Sequence, residues 1–121
     1  KWILSTPEEL VRQQFWKYLH FEKKYPKSLM AIEKKIAFKD RYKRFDLLIC
    51  DSKGNPNIIV ECKSNNVQID ESVLNQILNY QYKIGAKYLI LTNGINTYCL
   101  HVDLESKQVN YLDEIPVYLN K

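Results

Sequence analysis

The sequence predicts an α/β (α+β) fold in which a mixed central sheet is flanked by helices. Two segments carry apolar residues at helical spacing, and several short runs are rich in β-branched and aromatic residues. One helical segment separates a predicted hairpin from the next strand, so the chain must cross over before it re-enters the sheet. A hairpin and a crossover in one sheet give both antiparallel and parallel neighbours.

Length and composition indicate one domain spanning residues 1–121. The 121 residues are 45% hydrophobic, enough for one core, and no run approaches the roughly 18 apolar residues of a transmembrane helix. The start of the chain lacks the pattern of a signal peptide. Three cysteines without a CxxC pair indicate reducing conditions, so we expect a cytoplasmic protein without membrane contact.

The first two predicted elements are a helix and a strand. Thr6 is a candidate N-cap before Pro7, and the helix should end before Pro26. Its apolar stripe consists of Val11, Phe15, Tyr18 and Leu19. The run 30–38 alternates like a strand, with Met30, Ile32, Ile36 and Phe38 on one face and Glu33 and Lys35 on the other.

A hairpin is predicted next, from the runs 45–50 and 58–63, which are joined by turn formers at 51–56. With the turn centred between Lys53 and Gly54, one face pairs Cys50 with Asn57, Leu48 with Ile59, and Asp46 with Glu61. The other face pairs Ile49 with Ile58, Leu47 with Val60, and Phe45 with Cys62. Both faces are largely apolar, so we expect these strands in the interior of the sheet.

The remaining elements are a second helix and two or three strands. The helix begins at the N-cap Asp70 and ends at Gly85, and its stripe consists of Val73, Leu74, Ile77, Leu78, Tyr80 and Ile84. Strands are predicted over 87–91 and 96–102 around the Asn93-Gly94 turn, followed by a short edge strand at 108–111.

The hairpin register brings Asp46 and Glu61 face to face. Opposed Cβ atoms lie about 4.5 to 5.5 Å apart, where two like charges destabilise a sheet. Mg²⁺ compensates naturally, because it is commonly held by one or two carboxylates together with water and phosphate oxygens. Lys63 falls on the same strand face, within reach of a water or phosphate. The alternative is that each acid forms an ordinary ion pair with a neighbour such as Arg44 or Lys63.

Two helices offer residues that could complete such a site. Glu8 and Arg12 lie one turn apart and form either a simple ion pair or a metal ligand and a phosphate contact. On the second helix, Gln76 could hydrogen-bond a phosphate or a carboxylate, and Tyr80 lies either at the site or in the core. Cys62 is predicted to be a small core residue whose backbone carbonyl reaches the metal.

Basic residues concentrate in the segment 17–44, which has ten Lys and Arg against three acidic residues. The segment is either a solvated lysine-rich face or a surface for an anionic partner such as nucleic acid. The candidate DNA-binding residues are Arg12, Lys34, Lys35, Arg41, Lys43, Arg44 and Tyr80.

Three motifs carry a family resemblance. Phe45-Asp46, Glu61-Cys62-Lys63 and the QxxxY element from Gln76 to Tyr80 resemble the PD-(D/E)xK nuclease superfamily in order and spacing, with Phe45 in place of the usual Pro. Segments 6–13, 25–28, 59–63 and 88–94 resemble the N-terminal nuclease domain of type I restriction enzyme R subunits. The resemblance covers about residues 5 to 118.

The resemblance implies a restriction-endonuclease-like αβββαβ core that cuts DNA with Mg²⁺, for which Mn²⁺ can substitute. Asp46, Glu61 and Glu8 would then be metal ligands, and Lys63 would orient or activate the water. Gln76 and Tyr80 would approach the site from the second helix. The implied partners are DNA and other restriction–modification subunits, and a homodimer is compatible with double-strand cutting.

Two main hypotheses follow for function. The first is a metal-dependent DNA endonuclease, a phosphodiester hydrolase that uses Asp46, Glu61 and Lys63. The second is a catalytically inactive nucleic-acid-binding or assembly module of a restriction system, which binds without cutting. A nuclease acting on RNA is a weaker third hypothesis.

Overall fold

The computed structural model describes residues 7–119, in which two helices pack on one sheet. Helix α1 spans Pro7–Phe21 and helix α2 spans Glu71–Ile84. The strands are β1 Met30–Phe38, β2 Arg41–Cys50, β3 Pro56–Cys62, β4 Tyr88–Thr92, β5 Thr97–Val102 and β6 Val109–Leu112. The predicted N-cap Thr6 lies outside the described residues. No described helix is long and apolar enough to cross a membrane.

The sheet confirms the predicted mixed topology. Its six strands lie in the order β1-β2-β3-β4-β5-β6. Strands β3 and β4 are parallel, and the other neighbours are antiparallel. Helix α2 supplies the crossover between the parallel pair, as the sequence predicts. Its N-cap is Asp70, whose side chain accepts the backbone N–H of Val73 at 3.1 Å, and it ends at Gly85 with φ of +82°.

The helices cover opposite faces of the sheet. Val11, Phe15 and Leu19 of α1 pack in one core cluster with Leu47, Ile49, Ile58, Val60 and Cys62. Ile77 and Leu78 of α2 pack in a second cluster with Phe45, Leu48, Ile59, Leu89 and Leu91. Strands β2 and β3 are therefore buried on both faces, which explains their nearly continuous apolar runs. Tyr18, predicted to belong to the α1 stripe, remains 40% exposed.

The regular alternation of side chains between the two faces of the sheet is broken in β1 and β2 at the same level. Leu47 packs on the α1 side, but Phe45, two residues earlier, packs on the α2 side. The register places Glu33 at the level of Asp46, between the pairs Ile32↔Leu47 and Lys34↔Phe45, and Glu33 has a left-handed φ of +53°. The prediction that Phe45 shares a face with Leu47 is therefore wrong.

The same break in alternation means that the residues predicted to share one face of β1 lie on different sides of the sheet. Met30 packs on the α1 side, whereas Ile36 and Phe38 pack on the α2 side. Ile32, predicted to lie on the same face as these three, is 48% exposed. A single residue with positive φ interrupts the alternation on which the prediction was based.

The β2–β3 hairpin confirms three of the six predicted pairs, and the ladder ends at Leu47↔Val60, before the predicted pairs Asp46–Glu61 and Phe45–Cys62. The pairs Leu47↔Val60, Leu48↔Ile59 and Ile49↔Ile58 form as predicted. Cys50 pairs with Pro56 instead of Asn57, because a bulge follows Ile49. The turn is held by the carboxylate of Asp51, which accepts the backbone N–H groups of Lys53 and Asn55.

Strand β2 begins at Arg41, four residues before the predicted start. Within the described chain, residues 34–38 pair with 41–45, and the pairing of β2 with β3 begins at Leu47. Residues 34–44 therefore form a two-stranded extension, here named the β1–β2 ribbon, which runs past the C-terminal end of β3.

Candidate active site

A polar cleft lies where β3 ends, between α1 and the β1–β2 ribbon. Its volume is about 630 Å³. Charged side chains dominate its lining, and they include the predicted residues Glu8, Arg12, Lys43, Arg44, Asp46, Glu61 and Lys63. The cleft is also lined by four residues that were not predicted to belong to a site: Glu9, Glu33, Ser64 and Asn66.

Hydrogen bonds between carboxylates and backbone N–H groups link Asp46 to the end of β3. The Asp46 carboxylate accepts the backbone N–H of Cys62 at 2.8 Å, and the Asp46 N–H lies 3.4 Å from Glu61 Oε1. These contacts occupy the level at which the β2–β3 ladder would otherwise continue. The two acids thus lie close together at the predicted level, but the prediction of opposed side chains on one face is wrong, because each carboxylate accepts a backbone N–H of the neighbouring strand.

Burial makes both carboxylates costly to ionise. Glu61 is only 4% exposed, and burial raises its pKa, with a further rise from the charge of Asp46 and a partial offset by Lys43. Burial also raises the pKa of Asp46, partly offset by the Cys62 N–H and by Arg12. A cation placed beside these two groups would therefore favour their ionised forms.

Lys43 is the cation that contacts Glu61 directly. Its Nζ lies 3.3 Å from Glu61 Oε2 and packs over the rings of Phe45 at 4.9 Å and Tyr80 at 5.9 Å. The sequence predicts Lys43 to be a DNA-binding residue and does not predict its pairing with Glu61. Periodicity gave no signal for the contact, because regular alternation puts Lys43 and Phe45 on the face opposite to Asp46 and Glu61 until the break between Phe45 and Leu47 is known.

The segment after β3, which carries Lys63, is tied to the β4–β5 turn. The Lys63 backbone N–H donates to the carbonyl of Thr92 at 2.8 Å. The Asn65 side chain donates to the Asn93 carbonyl at 2.7 Å, and the Asn93 side chain donates to the Val67 carbonyl at 2.8 Å. Lys63 is thereby fixed at the cleft, near enough to Asp46 and Glu61 to lower the pKa of both.

Helix α1 contributes an arginine whose partners differ from the predicted one. Arg12 pairs with Glu9 and, at 3.2 Å, with Glu33 of β1, instead of with Glu8. The Arg12 side chain is 11% exposed. Glu8 is exposed and lines the cleft.

Within residues 7–119, no three His, Cys, Asp or Glu side chains lie close enough together to form a metal-binding group. Asp46 and Glu61 are the close pair, and the role of Glu8 as a ligand remains a prediction. The Cys62 side chain lies in the α1-side core, as predicted, and burial raises the pKa of its thiol.

Helix α2 places its two predicted residues differently. Tyr80 packs against Phe38 and Phe45, with ring centroids 5.1 and 6.0 Å apart, and lies beneath Arg41 at 5.4 Å. The structure therefore favours the core interpretation of Tyr80, as part of the packing that holds the β1–β2 ribbon. Gln76 is exposed and is not among the residues that line the cleft.

Comparisons with known proteins agree with this architecture. A fragment of a candidate HsdR subunit of a type I restriction enzyme from Vibrio vulnificus YJ016 matches with a TM-score of 0.64 and 20% identity, over 93% of this chain and 24% of that one. A candidate nuclease of the DUF820 group from Anabaena variabilis ATCC 29413 matches with a TM-score of 0.57 and 16% identity, over 98% and 75%. These likenesses show the restriction-endonuclease-like fold.

The sequence comparisons assign the family. This chain spans about a quarter of the Vibrio chain, and no curated protein matches it. The family model described as "Type I restriction enzyme R protein N terminus" matches residues 7–116. That match includes both helices, all six strands and every cleft residue, and the chain therefore belongs to the family of type I restriction enzyme R protein N-terminal domains.

Proposed function

We propose that this domain is a Mg²⁺-dependent DNA endonuclease of a restriction system, which hydrolyses phosphodiester bonds at the cleft. The observation that carries the proposal is the proximity of two carboxylates with raised pKa, Asp46 and Glu61, which are linked by the Asp46 N–H at a cleft that also contains Lys63. Burying two neighbouring acids costs stability, and such groups cluster at functional sites. Family membership supports the same function.

The donor set suits a hard divalent cation. Mg²⁺ takes oxygen ligands and is commonly held by one or two carboxylates with several waters, which matches the pair Asp46 and Glu61. The carbonyl oxygen of Cys62 is a third candidate ligand. The N–H and C=O groups of one strand residue point to the same side, and the Cys62 N–H points at Asp46. When bound, Mg²⁺ supplies Lewis-acid chemistry that activates a water and offsets charge on the phosphate. Mn²⁺ should substitute.

The chain's own residues divide the remaining tasks. Lys63 has three donors on a flexible stem, so it orients the attacking water and stabilises charge on the phosphate oxygens. Arg12 and Arg44 line the cleft and both contact Glu33, and their guanidinium groups are suited to phosphate. Glu8 is proposed as an additional acceptor for metal-bound water. The proposed partners are DNA and other restriction–modification subunits in the cytoplasm, and a homodimer for double-strand cutting.

A plasmid cleavage assay tests the proposal. Purified protein should nick or linearise supercoiled DNA with Mg²⁺ or Mn²⁺ and should be inactive in chelator. Glu61→Gln and Lys63→Ala should each remove cleavage, whereas Lys53→Ala, an exposed lysine in the β2–β3 turn, should leave it unchanged. Circular dichroism checks that each variant is folded.

Two outcomes would overturn the proposal. Cleavage that persists in chelator, or in both site variants, would place the chemistry elsewhere. Binding of DNA without cleavage under any metal would identify the domain as a non-catalytic binding or assembly module.

A further inference from the structure

We propose that the outer face of the β1–β2 ribbon docks in the major groove of double-stranded DNA and thereby presents the backbone to the cleft. The proposal rests on the proposed function for the identity of the ligand. It adds the form of the nucleic acid, the element that contacts it and the residues that face it.

The ribbon has one covered face and one open face. On the covered face, Phe38 packs on Tyr80 of α2, and Lys83 of α2 lies over the Phe38 ring at 5.8 Å. On the other face, Lys35 lies directly opposite Arg44 in the register, and its Nζ lies over the Tyr42 ring at 4.6 Å. The side chains of this open face are exposed: Lys35, Ala37, Tyr42 and Arg44.

The open face carries a cation pair that is only partly compensated by a shared acid. Lys35 and Arg44 are cross-strand partners, and like charges at directly opposed positions destabilise a sheet. The acid that contacts Arg44 is Glu33, at 3.8 Å, and Glu33 is shared with Arg12. An anion on this face would remove the repulsion, just as a cation would between the acids in the cleft.

The open face is continuous with the candidate active site. Arg44 belongs to both, because it lines the cleft that contains Asp46 and Glu61. Residues 34–44 run past the C-terminal end of β3, at the end of the sheet where the cleft opens. A polyanion bound along the ribbon therefore has a phosphate within reach of the cleft.

The dimensions favour duplex DNA over other nucleic acids. The major groove of B-DNA is about 12 Å wide and admits a two-stranded ribbon, whose strands lie about 4.8 Å apart before side chains are added. The major groove of an RNA duplex is too deep and narrow for side chains to read. Single-stranded DNA is typically bound by several stacking aromatic rings, whereas this face has one, Tyr42, which is covered by Lys35.

Fluorescence anisotropy with a 20-base-pair duplex in chelator tests docking independently of cleavage. Lys35→Gln and Arg44→Gln should each weaken binding several-fold and reduce the slope of log affinity against log salt by about 0.9. Lys83→Gln removes the same charge beside the covered face of the same ribbon, and it should change affinity by less than about twofold. Dimethyl sulfate footprinting should show protection of guanine N7, which lies in the major groove.

The outcomes separate this proposal from the nuclease proposal. Binding that depends on Lys35 and Arg44 without any cleavage would retain the docking surface and overturn the nuclease. Cleavage with equal losses of affinity in the Lys35, Arg44 and Lys83 variants would retain the nuclease and overturn the docking face. Protection of adenine N3 alone, or equal affinity for single-stranded DNA or duplex RNA, would also overturn major-groove docking.

Discussion

The carboxylate of Asp46 accepts the backbone N–H of Cys62 at 2.8 Å, so that a side chain takes the place of a backbone carbonyl between β2 and β3. Cys62 is fully buried, and its N–H would have no water to bond if the acceptor were removed. Asp46 therefore serves the fold as an acceptor, whereas its charge is the part that would bind the proposed cation.

Replacing Asp46 separates these two roles. Asp46→Asn keeps an acceptor oxygen and removes a costly buried charge, so in chelator its melting temperature should equal or exceed that of the parent. Asp46→Ala leaves the Cys62 N–H unpaired and should lower stability by about 1 to 3 kcal/mol.

Thermal shift against Ca²⁺ or Mg²⁺ completes the comparison. A cation that binds the folded state stabilises it by mass action, and the increment should shrink in Asp46→Asn. Equal increments in the parent and in Asp46→Asn would show that the cation binds elsewhere.

Lys43 should act as a counter-ion in the metal-free protein. Lys43→Met leaves the buried carboxylate of Glu61 without its direct cation and should cost about 1 to 3 kcal/mol in urea unfolding. The double variant Lys43→Met/Glu61→Gln should recover most of the loss, and Lys53→Met provides an exposed control. A double variant that is no more stable than Lys43→Met alone would show that Lys43 acts through its aromatic packing.

The sequence predicts the β2–β3 hairpin well because its turn formers fix the register. Three pairs form as predicted, and the acids meet at the end of the hairpin. What periodicity cannot supply is the break in alternation at Glu33 and Asp46, since a period of two assumes regular strand backbone throughout. The sides on which Ile32 and Phe45 lie, and the contact between Lys43 and Glu61, depend on that break.

Asp70 gives the protein a pH-dependent helix cap. The hydrogen bond from the Val73 N–H lowers the pKa of the Asp70 carboxyl, and Ser72 lowers it further. The pKa of Asp70 in the folded protein lies below its unfolded value of about 3.9. The ionised cap therefore stabilises the folded protein above about pH 3.9, and this stabilisation is lost as the pH falls through the folded pKa.

Melting curves of two variants measure this cap. Asp70→Ala should melt below the parent at pH 7, and the gap should narrow towards pH 2. Asp70→Asn retains a capping side chain without a titratable group, so its margin over Asp70→Ala should persist at low pH. A gap between parent and Asp70→Ala that is constant with pH would contradict the assignment.

Lys24 adopts a left-handed φ of +69° just after α1, a conformation that suits glycine. Lys24→Gly should therefore raise stability by about 1 kcal/mol. Lys17→Gly, inside α1, should lower it by about the same amount, because glycine is unfavourable in a helix interior. Urea unfolding of both variants checks the opposite signs, and a loss of stability in both would show that the Lys24 side chain outweighs its backbone strain.

The two outer strands of the sheet are poor templates for self-association. Strand β6 is only four residues long, and β1 is interrupted by the left-handed Glu33, beside Lys34 and Lys35. Short, kinked and lysine-bearing edges discourage the addition of a strand from another molecule. The positive charge that we propose to bind nucleic acid thus also protects the free domain from aggregation. Apolar replacements in β1 should therefore lower solubility, separately from any loss of DNA binding.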